Sequence, residues 1–121
     1  MIQVVKLAPL HSLVVINDPT GGAIPKYMFD GLVTATESCI AVCCYPEVDG
    51  ETEFTLGKAL EVDPGTPPTF HGRLLTPSRR VVVQTTELKT ILEAPTIQTA
   101  TPVRIWAGHP EWPEKVIIGL E

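Results

Sequence analysis

A chain of 121 residues, 44% hydrophobic and with a formal charge of −5, has apolar material for one packed core and too little length for two ordinary domains. Such hydrophobic content excludes a disordered chain, and the acidic balance excludes a nucleic-acid binder, which needs a basic face to neutralise phosphates. No apolar run reaches the roughly 20 residues of a membrane span.

The start, MIQVVKLAPLHS, lacks the charged region, long apolar core and cleavage site of a signal peptide, so the expectation is a cytoplasmic protein beginning at Met1. IQVVKL reads as a strand, broken at Pro9, and SLVVIN as the next. NDPTGG is a turn by composition. In AIPKYMFDGLVTATES, Tyr27, Phe29 and Leu32 suit either a short helical turn or a loop closing one end of the core. CIAVCCY is apolar on both faces, as a strand buried on both sides would be. PEVDGE reads as a hairpin loop on Asp49-Gly50, and TEFTLGKALEV as a strand with Phe54 and Leu56 inward.

After the rigid DPGTPPT connection come FHGRLLT and RRVVVQTT, split by Pro77-Ser78. ELKTILEA stays open between two readings. Leu88, Ile91 and Leu92 have helical spacing with Thr85 or Thr86 to cap, yet the segment also fits a strand. TPVRIWAG and KVIIGLE complete the set, with Val103, Ile105 and Ala107 facing one way and Arg104 and Trp106 the other. Seven to nine short strands, twelve prolines and nine glycines predict a single mainly β domain over residues 1–121. The expected architecture is an antiparallel β-sandwich, the alternative a small β-barrel, with at most one or two short helices.

Chemistry is sparse. His11, His71 and His109 show no HxH or HExxH spacing, so no metal and no cofactor is expected. Cys39 and Cys43 share a strand face about 13 Å apart at ~3.3 Å per residue, too far to chelate one ion. The odd, clustered set Cys39, Cys43 and Cys44 is no disulfide framework and reads as reduced thiols in a buried strand. No serine lies in a G-x-S-x-G or S-x-x-K context, and PTGGAIPK lacks the ending of a phosphate-binding loop. Arg79-Arg80 suits an anion contact or, more simply, a solvated strand start.

GHPEWPE, between the last two strands, is the surface candidate. Pro110 and Pro113 stiffen the chain around Trp112, and a stiff loop presenting one tryptophan loses little entropy on binding. His109, Glu111, Trp112 and Glu114, with the neighbouring Trp106, are the candidate binding residues. The bland alternative is that Trp112 folds back over the open end of the core.

The order SLVVINDPT, then Gly31 leading to CIAVCC, then RRVVVQTT, then a hydrophobic final strand resembles the competence-operon nuclease-inhibitor (competence protein J-like) family. The resemblance implies a small acidic β-sandwich with an inhibitor or immunity-like role, its acidic residues meeting a basic partner. GHPEWPE has no counterpart in that pattern. Three functional readings follow. The first is a non-enzymatic protein-binding module whose partner is another protein, not nucleic acid and not a membrane. The second is a small-ligand or enzymatic barrel using His11, His71 and His109. The third is a structural homo-oligomer pairing its apolar strands.

Overall fold

The computed structural model describes residues 2–23, 32–45, 48–107 and 114–121. Among these, ten strands form two five-stranded sheets. Sheet A has the order β1 (Gln3–Leu7), β5 (Thr52–Lys58), β10 (Lys115–Leu120), β9 (Ala100–Ala107), β6 (Phe70–Leu75); sheet B has β3 (Val33–Ala35), β4 (Cys39–Cys43), β2 (Leu13–Asn17), β7 (Arg80–Thr85), β8 (Thr90–Pro95). The mainly β sandwich read from the sequence is the observed fold. The barrel alternative fails, because each sheet keeps two edge strands and neither closes on itself.

Period-two alternation builds the core. Val14, Ile16, Ile40, Val42, Val81 and Val83 of sheet B face Phe54, Leu56, Val103, Ile105, Val116 and Ile118 of sheet A, and all twelve are fully buried. Burying each such side chain contributes roughly 1.5–3 kcal/mol before chain entropy is set against it. Every neighbouring strand pair is antiparallel except β5 and β10, which run parallel with Phe54 beside Val116 and Leu56 beside Ile118. β2 and β4 are also buried on their outer faces, where Leu13, Val15, Cys39 and Ala41 form a second small cluster. That explains the unbroken apolar runs of LVVIN and CIAVC.

Two segments depart from the sequence reading, and a third that it left open is settled. ALEV does not extend β5; Ala59–Val62 is a single helical turn, α1. Gly119, on the outer face of β10, leaves room for it: a Cβ there would stand 2.8 Å from Ala59 Cα and 3.0 Å from the Trp106 ring. PEVDGE is not a hairpin, since it carries the chain from β4 in sheet B to β5 in sheet A. TILEAP is strand β8 rather than helix, because the hydrogen bond from Leu88 N–H to Thr85 carbonyl (2.9 Å) folds residues 85–89 into a tight hairpin. Thr85 Oγ1 accepts from the Lys89 amide (3.3 Å) inside that turn and caps no helix.

The strand registers sort the connections by end. Those before β2 and between β4–β5, β7–β8 and β9–β10 leave one end of the sandwich, here the near end. Asp18 organises the far end. Buried at 1% exposure, it accepts from Thr20 N–H (3.0 Å), Thr20 Oγ1 (2.6 Å), Ser78 N–H (2.9 Å) and Ser78 Oγ (2.8 Å), joining the turn after β2 to the turn between β6 and β7. Burial works to raise its pKa, but the bonds from Thr20 and Ser78 outweigh it and hold the carboxyl below the usual carboxylate value.

Two outcomes are expected. Gly119→Val should destabilise the protein by ~1–3 kcal/mol in a denaturant titration, because α1 must lift off the sheet to admit the side chain; an unchanged midpoint would mean that α1 yields freely. Asp18→Asn should lose about 1–3 kcal/mol at pH 7. The depressed carboxyl contributes stability that is full above the unfolded-state pKa of about 4 and is lost as pH falls through the folded-state value. The gap between wild type and variant should therefore narrow below about pH 4; a gap independent of pH would show that the charge plays no part.

Candidate functional site

Two of the three histidines are described. His11 lies in the short 3-10 turn Leu10–Ser12 at the near end, with φ 63°. His71 lies on β6, opposite Arg104, and its Nε2 bonds Glu121 Oε2 at 2.9 Å. His11 thus sits in the turn that leads into β2 of sheet B, whereas His71 is a strand residue of sheet A. Among the described residues, no three histidine, cysteine, aspartate or glutamate side chains are grouped to hold a metal ion. Cys39 and Cys44 are buried and Cys43 half-buried. Burial pushes the Cys39 and Cys44 thiols up to about 11 and raises Cys43, with a Thr52 hydrogen bond opposing the effect at Cys44. Thiols so shifted stay protonated and weakly nucleophilic near neutral pH.

Of the loop candidates, His109, Glu111 and Trp112 lie outside the described residues. Glu114 is exposed at the start of β10, and its carbonyl accepts from the Glu53 amide at 2.8 Å. Trp106 points out from sheet A as its alternation predicts, but it is only 5% exposed. Its indole N–H donates to the Thr66 carbonyl at 2.8 Å, pinning the segment that returns from α1 to β6 across the sheet's outer face. Arg80 pairs with Glu93 across β7 and β8 at 2.6 Å, so the Arg79-Arg80 doublet begins a strand whose arginine is already matched.

The near end carries a feature that the sequence did not announce. In a three-residue hairpin built on a type I turn, the residue after the turn is left-handed and normally glycine. In the β7–β8 hairpin that place is filled by Leu88, with φ 64° and 68% of its surface exposed. A left-handed conformation costs a residue with a Cβ roughly 1–2 kcal/mol. His11 and Ser12 are left-handed as well, at φ 63° and 54°, and the Cys44 amide donates to the Ser12 carbonyl at 3.0 Å. Val48, 88% exposed, stands on the β4–β5 connection at the same end. Around these apolar tips lie Asp49, Glu51, Glu53, Glu87 and Glu114, against Lys6, Lys89 and Lys115. The arrangement is a strained, partly apolar surface with an acidic margin. Leu88 reads in the sequence only as one member of a helical spacing; the signal missed was a non-glycine residue in the fourth place of the TTEL turn.

No family model matches the sequence, and no curated protein matches it. Solved structures do match its fold. ComJ from Bacillus subtilis, an inhibitor of the DNA-degrading activity of NucA, superposes with a TM-score of 0.67 over 99% of this chain and 97% of its own, at 8% identity. The product of crocagin biosynthetic gene J superposes with a TM-score of 0.51 over 98% and 94%, at 9% identity. At such identities the shared property is the fold. The chain has the two-sheet sandwich of ComJ, as the order of its sequence elements implies.

Proposed function

We propose that this protein is a non-enzymatic binding module that inhibits a protein partner by docking its near end on a basic surface. The carrying observation is Leu88: a large apolar side chain, left-handed and exposed, at a position where glycine or asparagine would be more stable. A residue that lowers stability in two ways at one tip fits a role in contact. Val48 extends the apolar surface, and the acidic margin supplies steering toward positive charge. Ala107 and Glu114, which flank His109, Glu111 and Trp112, stand at the same end. The loop candidates therefore join the proposal, Trp112 as an aromatic anchor. The likeness to ComJ supports an inhibitor-like role, with a DNA-degrading nuclease as the partner class to try first. Among the described residues no helix is long and apolar enough to cross a membrane, and three cysteines that form no disulfide suit a reducing cytoplasm.

A homo-oligomer is the second reading. It rests on Ile2 and Val4, 47% and 57% exposed beside or on edge strand β1, and sedimentation at micromolar concentration would show a dimer if it holds or a monomer if it does not.

The leading proposal makes a separable prediction. Leu88→Asn should keep or slightly raise the melting temperature, since asparagine tolerates the left-handed region better. The same change, combined with Val48→Asp, should weaken inhibition of a NucA-type nuclease at least tenfold in a DNA-degradation assay. Equal inhibition by wild type and variant would place the docking surface elsewhere. Failure of the wild type to inhibit would remove that class of partner.

A further inference from the structure

A second surface, away from the near end and independent of the reading above, is built like a receptor for one residue. Arg104 on β9 and His71 on β6 are cross-strand neighbours on the outer face of sheet A. Arg104 grips Glu121 with a fork, Nε to Oε2 at 3.2 Å and Nη2 to Oε1 at 3.1 Å. His71 Nε2 adds a third bond to Oε2 at 2.9 Å; against a carboxylate that nitrogen is the donor. The Glu121 N–H to Pro102 carbonyl bond (3.0 Å) continues the β9–β10 ladder by one rung, and Gln98 Nε2 donates to the Glu121 carbonyl at 2.9 Å. Arg73, two residues along β6, shares the outward face of His71.

We propose that Arg104 and His71, with Gln98 beside them, form a recognition site for the side-chain carboxylate of a glutamate in an acidic peptide, which Glu121 fills in cis. The geometry favours a carboxylate over a tetrahedral anion. A planar guanidinium taking both oxygens of a carboxylate selects for that group's shape. The site is only partly covered, with Arg104 and Glu121 side chains 32% and 30% exposed and His71 53% exposed, so a strand approaching from solvent can reach it. Arg104 and Arg73 put two cations on this face in a chain of net −5, which sets it apart from the acidic near end. An occupant on the same chain competes as an intramolecular ligand, so an outside peptide gains access where Glu121 is drawn away or its carboxylate removed.

Acetylated, amidated hexaglutamate is the probe, titrated at constant ionic strength while the Arg104 Nε–H and Gln98 side-chain signals are followed by NMR. Glu121→Ala should bind it at least tenfold more tightly than the wild type, with both signals moving along one saturable curve. Hexaglutamine should leave them in place, and Glu121→Ala combined with Arg104→Gln should abolish the effect. If Glu121→Ala does not keep the wild-type amide spectrum, Glu121→Gln, which also lacks the charge, replaces it. No gain on removing the carboxylate, or equal binding by the double variant, would reduce the cluster to a fastening of the last strand. Inorganic phosphate moving both signals as strongly as hexaglutamate would make it a general anion site and overturn the peptide assignment.

Discussion

Strand β10 is what makes sheet A one sheet. β1 pairs only with β5, and β6 only with β9; the two pairs meet through β10, antiparallel to β9 and parallel to β5. Much else follows from that insertion. Val116, Ile118 and Leu120 complete the inner layer. Gly119, on the opposite face, leaves the hollow in which α1 lies and against which the Trp106 ring rests. Because β5 and β6 run in the same direction on either side of β10 and β9, the chain between them must cross the outer face. The Trp106 bond to Thr66 holds that crossing in place.

The ends of the sandwich divide the remaining tasks. At the far end the polar groups are matched. Asp18 has four donors, and Thr76, Thr96 and Thr101 pass hydrogen bonds among themselves at 2.8 and 2.9 Å. There the left-handed residue of the β6–β7 turn, Arg79, is polar, and its carbonyl accepts from the Thr96 amide at 2.9 Å. At the near end the equivalent place in the β7–β8 turn is held by Leu88, which offers solvent an apolar side chain. The same turn geometry thus serves closure at one end and display at the other. Stability gathered at the far end can offset strain at the near end, the usual division between scaffold and site.

Strands were legible in the sequence wherever alternation or a β-branched run was strong. LVVIN, CIAVC, RVVVQT and KVIIGL stand where their patterns put them. Order within the sheets was not legible, because period two names a face and never a neighbour. The helical turn at Ala59–Val62 was missed because its reason lies sixty residues away, in the missing side chain of Gly119. The β8 ambiguity was real at the level of spacing, and a turn bond settled it. Of the candidate site, Glu114 and His11 are at the near end, but Leu88 was hidden: its importance is a backbone angle, which no residue name declares. The Arg104–His71–Glu121 cluster was equally hidden, since it draws on three strands and only the register brings them together.

The place of β10 in the chain also bears on synthesis. All other strands leave the ribosome before residues 115–120 do. Until those residues emerge, the β1–β5 and β9–β6 pairs each carry an unpaired edge beside the gap that β10 will fill, and an unpaired edge is a template for any extended chain nearby. Folding of this protein is therefore completed late, by a long-range pairing that cannot form earlier.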